Sequence, residues 1–262
     1  MASNLDTLIT VFGGSGFLGR NVVRALAKRD YRIRIAVRRP ELAGHLQPIG
    51  RVGQIHAVQT NLRYPASVEA AMRDSSIAIN LVGILTEGGA QTFDAVQAKG
   101  AETIAKAAAA AGARMVHVSA IGADTRMQPA YVGDVATAVA DAVDGMAKPG
   151  ATYELGGPEV LTMREIMQWI CKVTGRDRTL LWLPFGLAKL QATFLQFAPG
   201  ALKLTPDQVA MLQLDNVVSD AAKAAGLTLE GLGIAAESME AIAPQYLWRF
   251  RATGQFQRNL TL

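Results

Sequence analysis

The run Val11-Phe12-Gly13-Gly14-Ser15-Gly16-Phe17-Leu18-Gly19-Arg20 constrains the fold of this chain more than any other stretch. It follows Leu8-Ile9-Thr10-Val11-Phe12, a mainly apolar run that reads as a buried parallel strand. It precedes Asn21 to Arg29, where Val22, Val23, Leu26 and Ala27 recur at helical spacing. A glycine at each tight point removes the Cβ that would block the turn, lets the main chain touch a pyrophosphate and packs helix on strand. N–H groups at the helix start then face the phosphates, with the helix dipole favouring their charge. The order strand, glycine turn, helix implies a bound dinucleotide, with Gly13, Ser15, Gly16, Phe17, Leu18 and Gly19 as its first binding residues.

The second strand bears on which dinucleotide. Tyr31-Arg32-Ile33-Arg34-Ile35-Ala36-Val37 alternates and then ends in Arg38-Arg39-Pro40, where an NAD-binding protein would place Asp or Glu on the ribose 2′-hydroxyl. Two guanidiniums at a strand end suit a 2′-phosphate, because the planar fork binds its oxygens through charged hydrogen bonds. Arg38 and Arg39 therefore point to NADP(H) over NAD(H). A merely solvated basic strand end is the competing reading.

Strands and helices keep alternating through the first half, as in a doubly wound parallel sheet. Residues 54–59 read as the third strand, 67–73 as a short helix, 77–83 as the fourth strand, 95–111 as a helix and 114–119 as the fifth strand. In such sheets the ligand lies across the carboxyl ends of the strands. Asn61, Leu62, Leu81, Val82, Gly83 and Ser119 are the further candidates to line the cofactor.

Composition narrows the function classes. Half of the 262 residues are hydrophobic and 18% are charged, enough for a sizeable core. The net charge of +4 is modest and scattered, with no basic helix interleaved with aromatics, so nucleic acid is not an expected partner. The single Cys171 fits a reducing compartment, and no His or Cys cluster has metal-ligand spacing. Residues 1–6 leave no room for a secretory leader before the first strand, so a cytoplasmic location is expected.

The segments VFGGSGFLGRNVVRAL, AVRRPE, QTNLRYPASV, NLVGIL, VHVSAIGAD and YVGDVA resemble those of the atypical short-chain dehydrogenase/reductases, the NAD-dependent epimerase/dehydratase group. Within that group they are most similar to the nucleotide-binding accessory subunit of respiratory complex I and its bacterial relatives. The resemblance covers most of residues 7–160 and implies an NADPH-bound Rossmann domain over 1–160 with a small C-terminal domain over 161–262. It also places Ser119 near the superfamily's active-site serine, though a serine ending a strand more often serves backbone groups.

One departure is large. The resemblance implies several tens of residues between VHVSAIGAD and YVGDVA, including a helix bearing Tyr-x-x-x-Lys and a sixth strand. Here residues 122–130 join the two directly. None of Tyr31, Tyr64, Tyr131, Tyr153 and Tyr246 has a lysine four positions later. Either the chain lacks the segment, leaving a sheet shortened after the fifth strand with an exposed cleft over 119–131, or the molecule carries it beyond this sequence and the standard fold returns. No catalytic residue is assigned on either alternative.

Later segments carry less information. Asp134 reads as a first-turn acid or cap of a helix, residues 152–158 as a last strand with a tight turn, and Thr162-Met163-Arg164-Glu165 as a capping box opening a helix to Gly175. Leu183, Leu187, Leu190, Phe194 and Phe197 form an apolar stripe, read as packing onto the core or, alternatively, as docking residues 180–200 on a membrane surface or membrane-associated respiratory complex at the inner membrane. Tyr246 to Arg251 would add an aromatic and basic anchor. Three functions stay open: an accessory or assembly protein with weak or no catalysis, an NADP-dependent oxidoreductase or epimerase/dehydratase on a small or lipid-like carbonyl compound, and a dinucleotide-sensing regulator.

Overall fold

The computed structural model describes residues 4–84, 87–120, 126–176, 178 and 216–251. By contacts the chain divides into two units, Met1–Ala120 with Val135–Ala151, and Ile121–Asp134 with Thr152–Leu262.

The first unit is a Rossmann-like sandwich. Its strands are β1 (Leu8–Phe12), β2 (Arg32–Val37), β3 (Ile55–Gln59), β4 (Ile77–Asn80) and β5 (Arg114–His117). They form one sheet in the order β3-β2-β1-β4-β5, parallel throughout. Between them run α1 (Phe17–Lys28), α2 (Pro65–Met72) and α3 (Lys99–Ala110), and α4 (Val132–Val143) follows β5. Successive side chains on a strand point to opposite faces, which gives two cores. Ile9, Val11, Ile33, Ile35, Ile77 and Ile79 pack with Val22, Val23 and Leu26 of α1 and Ala136, Val139 and Ala140 of α4. Phe12, Ala36 and Ala78 pack on the other face with Val68 and Met72 of α2 and Ile104 and Ala107 of α3. The expected parallel doubly wound sheet of five strands is present.

Several expected boundaries move inward. β4 stops at Asn80 rather than Gly83, because the Asn80 side-chain oxygen accepts the Val82 N–H at 3.0 Å and takes that donor from the ladder. β5 stops at His117 rather than Ser119. The third helix opens with a π-helical turn, Asp94–Ala98.

In the second unit a two-stranded antiparallel ladder pairs β6 (Arg126–Met127) with β7 (Leu161–Thr162). The expected strand over 152–158 does not form. Glu154 N–H donates to Leu227 O at 2.9 Å, but Gly156 and Gly157 lie so close to neighbouring groups that a Cβ on Gly157 would stand 1.9 Å from Pro129 O. Close packing of bare main chain replaces a ladder there. The capping box forms as read: Thr162 Oγ1 accepts Glu165 N–H at 3.2 Å and Glu165 Oε2 accepts Thr162 N–H at 2.7 Å. It opens α5 (Met163–Thr174), which ends on Gly175 in the left-handed region, φ 61°. Asp134 lies in the first turn of α4, and its carboxylate accepts Glu237 N–H at 2.8 Å. The apolar stripe at 183–197 lies outside the described residues. Among the described residues no helix is long and apolar enough to cross a membrane.

Candidate functional site

A cleft of about 760 Å³ opens at the carboxyl ends of β1 to β4, wholly within the first unit. That volume lies within the range of small-molecule and cofactor sites. Gly13, at φ 78°, turns the chain out of β1, and its N–H donates to Ala36 O at 3.3 Å. Gly16 N–H donates to Gly13 O at 3.0 Å and closes the turn. Gly19 is tucked behind it, where a Cβ would stand 2.3 Å from Gly13 O and 2.6 Å from Gly14 C. Only a bare main chain allows this approach of α1 to the turn.

The N-cap of α1 is Gly16, which offers no side-chain oxygen to the first-turn N–H groups. A ligand anion is the natural acceptor at such an end.

Charge reinforces this. Arg38 and Arg39 at the end of β2 and Arg63 after β3 line the cleft, and among the described residues no carboxylate does. Thr60 Oγ1, on another lining residue, is buried and has no hydrogen-bond partner among the described residues. Glycine turn, open helix end and three guanidiniums together fit the pyrophosphate and ribose phosphates of a dinucleotide.

Of the residues singled out from sequence, the cleft brings together Gly13, Ser15, Gly16, Arg38, Arg39, Asn61, Leu62, Leu81, Val82 and Gly83. Four others are placed elsewhere. Phe17 is exposed at the start of α1, Leu18 packs against the core, Gly19 supports the turn, and Ser119 is exposed beyond β5. Thr60, Leu42, Arg63, Ile84, Gln91 and Val96 also line the cleft and are not among the residues expected from sequence. Arg63 carries a legible signal, since it follows Asn61 by two residues and its N–H donates to Asn61 Oδ1 at 3.2 Å in the turn after β3. Gln91 and Val96 carry none, because the loop after β4 folds back over a distance that no local pattern encodes.

Tyr131 belongs to the second unit. Its hydroxyl shares a hydrogen bond with Tyr246, and this bond, burial and the nearby Asp134 and Glu237 carboxylates raise its pKa above the ordinary phenol value. Such a phenol stays protonated at neutral pH. Among the described residues no group of three or more His, Cys, Asp or Glu could hold a metal ion.

Comparison with known proteins agrees with the cleft. The profile of the NAD(P)H-binding family matches residues 13–153. The chain belongs to this family. Mitochondrial NADH dehydrogenase [ubiquinone] 1 alpha subcomplex subunit 9 of Arabidopsis thaliana is 26% identical over 318 residues, covering 94% of this chain and 78% of that protein. The alignment is longer than the chain's own 262 residues, so that relative carries segments with no counterpart here. Ceramide reductase of Caulobacter vibrioides is 30% identical over 171 residues, covering 63% of this chain and 53% of that protein. In fold, the NADPH-dependent quinone oxidoreductase QOR2 of Escherichia coli, solved with NADPH, superposes with a TM-score of 0.68 at 17% identity, over 92% of this chain and 99% of that one. The chain is thus an NAD(P)H-binding protein of Rossmann-like fold with a nicotinamide dinucleotide as its cofactor.

Proposed function

We propose that this protein holds NADP(H) in the β1–β4 cleft and serves as an accessory or assembly component of a complex I-like respiratory NADH dehydrogenase, with weak or no catalysis. The observation that carries the reading is the cleft itself, with Arg38, Arg39 and Arg63 on its lining and, among the described residues, no carboxylate to meet a ribose 2′-hydroxyl. Gly13, Ser15 and Gly16 present main chain to the pyrophosphate; Arg38 and Arg39 choose the 2′-phosphate; Asn61, Leu62, Leu81, Val82 and Gly83 enclose the rest. The bound dinucleotide would supply hydride chemistry, yet the chain has no lysine four residues after any tyrosine. A raised pKa in Tyr131 runs against a role as a tuned acid or base. The subunit 9 relatives, themselves subunits of mitochondrial NADH dehydrogenase, support a respiratory partner and a place peripheral to the inner membrane.

The second reading is an NADP-dependent reductase of a lipid-like carbonyl compound, which the ceramide reductase similarity supports. Calorimetry with NADPH and NADH tests the binding claim. Incubation with NADPH and a panel of carbonyl compounds divides the readings: sustained oxidation of NADPH favours the reductase. Retention with the membrane NADH dehydrogenase in mild detergent favours the accessory role, and its absence there counts against it.

A further inference from the structure

We propose that the edge of β5, unpaired among the described residues, is a self-association seam, along which two copies of this chain join their sheets antiparallel about a two-fold axis at Val116.

Among the described residues β5 pairs with β4 alone, and it ends the sheet. Arg114 N–H donates to Ser76 O and Val118 N–H to Asn80 O, both at 3.0 Å, so the even-numbered residues face β4. The main-chain N–H and C=O groups of Met115 and His117 therefore turn to the open edge. Proteins guard such edges with charge, proline or bulges. The run Arg114-Met115-Val116-His117-Val118 has no proline, and its only formal charge stands at the first position. The His117 ring is turned toward the Asn80 side chain, 3.0 Å away, leaving the main chain beside it open. Met115, Val116 and Val118 are only half-buried while packing at the margins of the two cores.

A second copy fits this edge by register. With the axis at Val116, Met115 of one copy opposes His117 of the other, and each such pair exchanges both N–H···O bonds from groups that already point outward. Arg114 opposes Val118 rather than another arginine, and Val116 opposes Val116, so no like charges meet. The pairing closes on itself and leaves β3 as the outer edge at both ends.

Light scattering across a concentration series tests this, with engineered cysteines reporting register in a Cys171→Ser background. A non-hydrogen-bonded antiparallel pair brings its Cα atoms to about 4.5 Å, within disulfide reach. Val116→Cys is expected to form a covalent dimer under mild oxidation. Met115→Cys is not, because its own copy lies diagonally beyond bridging distance. Val116→Lys, which sets two ammonium groups face to face, is expected to give a monomer with unchanged circular dichroism. Should that variant unfold, the cysteine pair decides alone. A monomeric mass throughout, or a dimer in which Val116→Cys does not cross-link, overturns the proposal.

Discussion

The hydroxyl of Tyr31 donates to Asp144 Oδ1 at 2.6 Å and ties the entry to β2 to the turn that follows α4. Arg29 holds the same turn, bonding Asp144 and, at 2.7 Å, Asp141. Burial first, and then the Asp144 carboxylate, raise the Tyr31 pKa to about 12. A phenol whose folded pKa exceeds its unfolded value of 10.0 adds stability that is complete below pH 10 and is lost as pH climbs toward 12. Tyr31→Phe is expected to cost about 1.5–3 kcal/mol at neutral pH, the usual net worth of a hydrogen bond to a charged group. It should also flatten the decline above pH 10. Urea midpoints measured from pH 8 to about 11.5 for both proteins check this.

Gly16 and Gly19 separate binding from folding. A Cβ at Gly19 meets main-chain atoms of Gly13 and Gly14 at 2.3 to 2.7 Å, and main chain cannot swing aside. Gly19→Ala is expected to lower the thermal midpoint, by about 2–4 °C for each 1 kcal/mol lost, and to abolish dinucleotide binding. At Gly16 a Cβ meets only Gly13 O at 3.3 Å. Gly16→Val should therefore melt close to wild type while filling the place where main chain meets pyrophosphate. Calorimetry should find NADPH affinity down at least about tenfold, the loss of 1.4 kcal/mol.

The capping box at α5 yields a local prediction. Thr162 and Glu165 satisfy each other's N–H groups, and these bonds hold the Glu165 carboxyl below the usual carboxylate range. Thr162→Ala is expected to cost about 1 kcal/mol, and Thr162→Ser to restore most of it. Hydrogen exchange should show faster exchange in the first turn of α5 in the alanine variant, with the β1–β2 ladder unchanged.

How legible each feature is in the sequence depends on how local its cause is. The β1-turn-α1 unit and the box at Thr162 are fixed within a few residues by glycine spacing and side-chain caps, so each can be read from the amino acids alone. The parallel run of five strands follows from alternation, because each parallel crossover must return through a helix. Strand ends differ from expectation where a side chain intercepts the ladder, as Asn80 does at Val82. The strand expected over 152–158 is absent: among the described residues no strand pairs with it, and Gly156 and Gly157 instead pack closely against the Gln128 and Val218 side chains and the Pro129 main chain. Much of the cleft comes from strand ends, which pattern reveals. Leu42, Gln91 and Val96 come from connections whose return to the cleft is a tertiary event.

The three lining guanidiniums give the last prediction. Arg38 and Arg39 directly follow β2, where the ribose of a bound dinucleotide lies in this fold, while Arg63 reaches the cleft from the turn after β3. If the pair reads the 2′-phosphate, Arg38→Ala with Arg39→Ala removes charged hydrogen bonds worth about 1.5–3 kcal/mol each, and NADH, lacking that group, loses almost nothing. The double variant is therefore expected to weaken NADPH by at least about a hundredfold and NADH by less than about threefold. Wild-type affinity for NADPH should fall with added salt more steeply than affinity for NADH, and the double variant should lose that difference. Arg63→Ala serves as the internal control: a guanidinium that adds only general positive charge should weaken both nucleotides by a similar factor. Calorimetric titrations of the three proteins with both nucleotides at low and high salt measure all of these, and equal losses for NADPH and NADH in the double variant would remove Arg38 and Arg39 from the 2′-phosphate.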